Sequence, residues 1–244
     1  MRKRTSAVRP PPAAARTGNK LLAALPREDF ARVQPHLRAT QIRPKHVFHA
    51  LNEPIRDVVF LNGGVASMTT LMQDGTMVEI ATIGDEGLVG MEVVFGGEIA
   101  TGEAMLQVPD GQAWFMAVPA FKAELDRRGA LYSAVQRYSQ AVMTLMMQST
   151  ACMALHELQE RCCRWLLMTH DRVRRDDFQL SQEFLAVMLG STRPTVNVVA
   201  STLQKAGLIT YKHGHITITD REGLEAASCE CYATVRAHFQ RLGL

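Results

Sequence analysis

The chain has no apolar run approaching the roughly 20 residues needed to span a bilayer. Its start lacks the apolar stretch of a secretory signal. Cysteine is scarce and odd in number: there are five, none before Cys152. That argues against the disulfide framework of a secreted protein. No acidic residue precedes Glu28, whereas Arg2, Lys3, Arg4, Arg9, Arg16 and Lys20 all do. Pro10-Pro11-Pro12 would interrupt an amphipathic transit helix, so residues 1–20 read as a disordered basic tail. No nucleophile–base constellation is evident, so no catalysis is expected. The absences together point to a cytoplasmic protein that does not enter a membrane.

What remains is ordinary soluble composition: 244 residues, 47% hydrophobic, 21% charged, formal net charge +3. Length allows one large or two modest domains with a buried core. Arg161, Arg164, Arg172, Arg174 and Arg175 form a basic concentration, partly offset by Asp171, Asp176 and Asp177. It reads as a solvated face of modest electrostatic reach.

A helical stretch is expected from about Leu21 to Leu37. Strand patterns then follow at Val47-Phe48, Val58–Leu61, Val65–Met72, Met77–Ile83, Ala104–Val108 and Ala113–Val118. Gly-bearing turns separate them, among them Asn62-Gly63-Gly64, Gly84-Asp85-Glu86-Gly87 and Asp110-Gly111. Short, regularly spaced strands with no interleaved helices predict an antiparallel barrel or jelly roll. A long helix is predicted from Leu131 to Leu155. Leu131, Val135, Tyr138, Val142, Leu145, Ser149 and Cys152 alternate in steps of four and three, the seam of a two-stranded coiled coil. These residues are therefore expected to pair two copies of the chain. A second helix, from His156 to about Arg174, follows, and one more amphipathic helix is expected after Asp220.

The most informative segment is Leu180–Gly207. Leu185, Met188 and Leu189 give one short helix an apolar face, and Gly190 breaks it. Ser191 or Thr192 can cap the next helix, with Pro194 in its first turn, where a missing N–H costs nothing. Val196, Val199, Ala200 and Leu203 then bury one stripe, leaving Arg193, Thr195 and Asn197 outward. A helix with free polar and cationic residues near its N-terminus suits the DNA major groove. An ordinary helical corner is the plainer alternative. Leu208–Tyr211 and Ile216–Thr219 flank the turn Lys212-His213-Gly214-His215, predicting a hairpin wing with a cationic tip.

Barrel, long helix and winged helix-turn-helix, in that order, resemble the Crp/Fnr family of bacterial transcription regulators. The resemblance is strongest in LGSTRPTVN, LQKAGLI and HGHITITD, within Leu180–Asp220, and is also clear in the Gly-rich turn of Ile83–Gly97. It implies an α+β chain with a β-roll or jelly-roll barrel over residues 21–128, a dimerisation helix over 129–155 and a winged helix-turn-helix over 156–244. It also implies a homodimer reading a palindromic site on double-stranded DNA, with RNA polymerase as a candidate partner. Arg193 matches a base-contacting Arg of the family and suits guanine O6 and N7. Pro194 and Val198 replace two other base readers and offer only apolar contact. Ser181, Gln182, Thr192, Thr195, Lys212 and His213 would position the DNA backbone; Asn197 suits either role.

The family's nucleotide pocket looks degenerate here. Its Phe-Gly-Glu element falls at Val89-Gly90-Met91, with Glu92 displaced by one place, and its phosphate-gripping Arg-Ser pair falls at Gly102-Glu103. A carboxylate repels a phosphate, so cyclic AMP is not expected to bind in the usual manner. The effector is unknown, or there is none. Iron–sulfur members carry early cysteines, which are missing. His46 and His49 would lie on opposite strand faces, unsuited to joint ligation. Cys162-Cys163 and Cys229-Glu230-Cys231 have the chemistry for redox sensing or soft-metal binding. Without a matched Cys-x-x-Cys pair, and with helical residues two apart pointing about 200° apart, buried reduced thiols are expected. No cofactor or metal is therefore predicted. Two rivals stay open: a cupin-like barrel enzyme and a DNA-independent signalling adaptor.

Overall fold

The computed structural model describes residues 17–109 and 112–244. Most of the predicted basic tail, and the Asp110-Gly111 turn, lie outside the described residues. Residues 17–20 do not extend that tail. Asn19 is fully buried; its side-chain amide donates to the Leu61 and Gly87 carbonyls, while its oxygen accepts from Leu22 N–H. It thereby caps α1 (Lys20–Ala23). Pro26 separates α1 from α2 (Arg27–Val33), so the single helix expected over Leu21–Leu37 is divided. Its last residue belongs instead to strand β1 (Leu37–Gln41), which has no burial alternation and so no sequence signature.

The remaining barrel strands lie close to expectation: β2 (Val47–His49), β3 (Asp57–Leu61), β4 (Val65–Leu71), β5 (Met77–Ile83), β6 (Glu103–Val108) and β7 (Gln112–Ala117). They form two antiparallel sheets, ordered β1-β7-β3 and β2-β6-β4-β5. α3 (Val118–Asp126), with Pro119 in its first turn, leads to α4 (Ala130–Leu155), about 39 Å long at 1.5 Å per residue. α5 (Leu158–Val173), β8 (Asp177–Gln179), α6 (Gln182–Met188), α7 (Arg193–Lys205), β9 (Ile209–Lys212), β10 (His215–Ile218), α8 (Arg221–Ala226) and α9 (Cys231–Arg241) complete the chain.

On α4 the residues of the expected dimer seam face inward. Leu131, Val135, Tyr138, Val142, Leu145 and Cys152 are each no more than 3% exposed within a single chain. They pack inward because α4 is clasped between the barrel and the C-terminal helices, touching β5, α3 and α9. Tyr138 shows how tightly. A Cβ on Gly87 would sit 2.1 Å from its ring carbon Cζ, so only glycine fits in that barrel turn. The stripe left open runs Gln136, Gln140, Met143, Met147, Thr150 and Ala154, again in steps of four and three. Met143 and Met147 are 58% and 71% exposed on it.

The basic concentration is a solvated face only in part: Arg174 and Arg175, just past α5, are exposed, and the arginines on α5 turn inward. Arg164 and Arg172 are buried. Arg172 donates through Nε and Nη2 to Glu86 Oε1, at 3.0 and 2.8 Å. Arg174 bonds Asp85, and Arg161 donates to the Leu189 carbonyl at 3.1 Å. Burial by itself would raise the Glu86 carboxyl, but Arg172 overrides it and holds Glu86 below the usual carboxylate range. The Gly-Asp-Glu-Gly turn of the barrel is thus bolted to the helix that leads into α6 and α7.

A second polar contact crosses the same seam. Trp165 Nε1 donates to Glu79 Oε1 at 2.7 Å, and Ser67 also bonds this carboxylate. Burial pushes Glu79 up to about 7, against the pull of Ser67, Trp165 and the nearby arginines.

Candidate nucleic-acid interface

Ser181 caps α6, accepting from Phe184 N–H, and Thr192 caps α7, accepting from Thr195 N–H. Arg193 and Pro194 open α7. Gly190 sits between the two helices at φ +57°, a conformation that suits glycine. Val196, Val199, Ala200 and Leu203 are buried, as their spacing requires, so the turn holds α7 with one fixed face outward. That outward face presents Arg193, Pro194, Thr195, Asn197 and Val198, all exposed, Val198 by 65%.

The first turns of α2, α5, α6 and α8 each carry an acidic residue, which the positive end of the helix dipole favours. The first turns of α1, α3, α4 and α9 carry no acidic residue. The first turn of α7 carries none either, and holds Arg193. The Arg193 side chain makes no hydrogen bond or ion pair among the described residues. A cation there is locally unfavourable by some tenths of a kcal/mol up to about 1 kcal/mol. The same arrangement is favourable once an anion or an electron-rich base edge approaches.

The wing closes the surface. β9 and β10 pair in antiparallel register, and β8 adds a third strand that the sequence reading missed. The hairpin turns through His213 and Gly214, at φ +49° and +77°, as a two-residue loop of this kind demands. Lys212, His213 and His215 are exposed at its end. A hollow of about 330 Å³ is lined by Ser181, Gln182, Arg193, Tyr211 and His213 among others, joining all three elements. Tyr211 is held in place there: its hydroxyl donates to the Leu180 carbonyl at 2.8 Å. Burial pushes that phenol up to about 12, partly opposed by Arg193. Sequence reasoning missed Tyr211, whose only signal was its place in a strand. It also missed that Gln182 Nε2 donates to Asn197 Oδ1 at 2.9 Å, so those two act together.

Residues 160–227 match the Crp-like helix-turn-helix domain. The chain carries a Crp-like helix-turn-helix domain on the Crp/Fnr fold. Among solved structures it is similar to FixK2 from Bradyrhizobium japonicum, at 16% identity and TM-score 0.67, covering 79% of this chain and 98% of that one. It is similar to a crp/fnr-family transcriptional regulator from Eubacterium rectale at 16% identity and TM-score 0.65, covering 86% and 98%. It also resembles the c-di-GMP responsive global regulator CLP of Xanthomonas campestris, at 14% identity and TM-score 0.65, covering 78% and 98%. No curated protein matches the sequence. Among the described residues, no helix is long and apolar enough to cross a membrane.

Within this Crp/Fnr fold, the expected effector residues are placed as follows. Gly90 opens the 3-10 turn Met91–Phe95 at φ +99°. Glu92 folds back onto Thr101, accepting from its N–H at 3.3 Å and its hydroxyl at 3.2 Å. Gly102 lies so close to β4 that a Cβ would stand 2.4 Å from the Thr69 carbonyl oxygen, so no larger side chain fits. Glu103 opens β6. His49 is buried and its imidazole held low by desolvation, with Glu92 acting against that shift. His46 is exposed, edge-on to Phe48 with ring centroids 5.1 Å apart. The two histidines therefore occupy different environments.

Proposed function

We propose that this transcription regulator acts as a homodimer on a palindromic operator, reading bases with α7 and gripping phosphates with the wing. The observation that carries the reading is the bare cationic start of α7, fixed outward by a buried apolar stripe. Arg193 reads a guanine edge, Pro194 and Val198 meet apolar groups such as a thymine methyl, and Asn197 is presented by Gln182. Ser181, Thr192, Thr195, Lys212 and His213 set register on the backbone. The division of labour is a barrel over residues 21–128, a linking helix over 129–155 and a reading unit over 156–244.

Dimerisation falls to the open stripe of α4, centred on Met143 and Met147, in place of the inward residues. Pairing there sets two α7 helices about one DNA turn, ~34 Å, apart. The barrel senses something other than cyclic AMP, or nothing, because Glu103 repels a phosphate and position 102 admits no arginine. RNA polymerase would be met by a DNA-bound dimer.

A mobility shift on promoter-derived duplex DNA at low and moderate salt tests the reading, together with sedimentation of wild type and Met147→Glu. Wild type is expected to be a dimer that binds specifically; Met147→Glu is expected to be monomeric and to lose most operator affinity. Dimeric Met147→Glu would exclude the open stripe, and indifference of wild type to duplex DNA would exclude the function.

A further inference from the structure

Three sulfur atoms and one imidazole converge where the end of α4 meets the start of α9. Cys152 lies in the last turn of α4, and His156 is the residue that ends that helix. Cys229 stands in the turn after α8, and Cys231 opens α9. Their ligand atoms all lie within 4.8 Å of one another. Cys152 Sγ is 3.5 Å from Cys229 Sγ, and Cys231 Sγ is 3.5 Å from His156 Nδ1.

Those separations have chemical meaning. A disulfide requires sulfurs about 2.05 Å apart, so Cys152 and Cys229 are not joined. A tetrahedral ion with sulfur at about 2.3 Å and nitrogen at about 2.0 Å spaces two sulfurs ~3.8 Å apart and sulfur from nitrogen ~3.5 Å. The three cysteines are at most 4% exposed and form a small cluster of their own beside the main core. Around them stands the polar support that ligands need. His156 Nε2 lies 3.0 Å from Glu230 Oε2, which fixes the ring with Nδ1 toward the sulfurs. Gln148 Nε2 lies 3.0 Å from Cys231 Sγ, donating to it. Thiols that merely fill space call for neither contact.

The objection raised by spacing also disappears. Cys229 precedes α9 and is not helical, so Cys229 and Cys231 need not point apart. Cys152 and His156 are joined across the end of α4, where the His156 N–H donates to the Cys152 carbonyl at 3.0 Å.

We propose that Cys152, His156, Cys229 and Cys231 bind one zinc ion in a closed tetrahedral site. Four protein ligands leave no open position, so the ion is structural. Binding releases the three thiol protons to solvent as the Zn–S bonds form. The ion ties the end of the long helix to the α8–α9 cap of the reading unit, fixing where the latter sits. This inference does not depend on the proposed DNA reading.

Metal analysis of full-length, untagged protein purified under reducing conditions is expected to find about one zinc per chain. Chelated protein reloaded with Co²⁺ is expected to show thiolate charge-transfer and tetrahedral ligand-field bands. Those bands should vanish in Cys229→Ser and persist in Cys162→Ser, while Glu230→Gln weakens Zn²⁺ binding ~10-fold or more. If Cys229→Ser fails to fold, Zn²⁺ titration of stripped wild type should raise the melting temperature and shield three thiols from alkylation. Folded, reduced wild type with neither retained zinc nor Co²⁺–thiolate bands would overturn the site. So would bands that survive in a folded Cys229→Ser, or iron in place of zinc.

Discussion

Arg172 and Arg193 carry the same guanidinium on neighbouring helices and are put to opposite uses. Arg172 is buried at 9% side-chain exposure, against Glu86 at 6%. Arg193 stands in solvent at a helix end whose dipole repels it. A buried cation is tolerable only with its anion in place, so the first arginine specifies how barrel and α5 dock. An exposed cation with no anion beside it adds no ion-pair stability to the fold, and its side chain is open to an external partner. Exposure, and not residue type, separates the arginine that builds the protein from the one that we propose reads DNA.

The comparison breaks most readily at the buried end. Arg172→Ala should strand the Glu86 carboxylate and cost about 3–5 kcal/mol of stability by urea denaturation. A loss under ~1 kcal/mol would mean that the pair is not truly desolvated. Glu79, in the same seam, tests it by pH. Its folded value of about 7 lies above its ordinary 4.5, so the neutral acid is the form the fold prefers. Its stabilising contribution is full below about 4.5 and is lost as pH rises through about 7. Stability should therefore fall by ~2 kcal/mol between pH 5 and pH 8, and Glu79→Gln should flatten that slope. A variant that melts with the wild-type pH profile would rule Glu79 out as its source.

At the exposed end the expected effects move from stability to binding. Arg193→Ala should not lower the melting temperature and should raise it slightly if anything, while weakening specific binding by about 1–3 kcal/mol and relaxing preference at one base pair. Undiminished selectivity in competition assays would remove it as a reader. Lys212→Ala is the mildest: a uniform drop in affinity and a salt dependence shallower by roughly one unit of slope. Loss confined to one operator sequence would contradict a phosphate role.

Legibility followed how local each signal was. α7 could be read because its cap, its early proline and its apolar stripe all lie within one short segment. The wing followed from two alternating strands around a Gly turn. β1 stayed hidden because it is an edge strand with mostly exposed residues. The division of the last helix into α8 and α9 was equally silent, and it misled the reading of Cys229 and Cys231. The four-and-three spacing on α4 was real, yet a second stripe in the same steps, holding Met143 and Met147, runs along its open side. Spacing alone could not say which one faces the barrel.

Periodicity, caps and turn residues are written in neighbouring positions, so the order of elements and the outward face of α7 were present in the chain as text. Which α4 stripe is buried, which arginines meet Glu86 and Asp85, and the meeting of Cys152 and His156 with Cys229 and Cys231 were decided only by folding. Those contacts join residues tens of positions apart, and their energies depend on burial and partner distance, which no local pattern encodes.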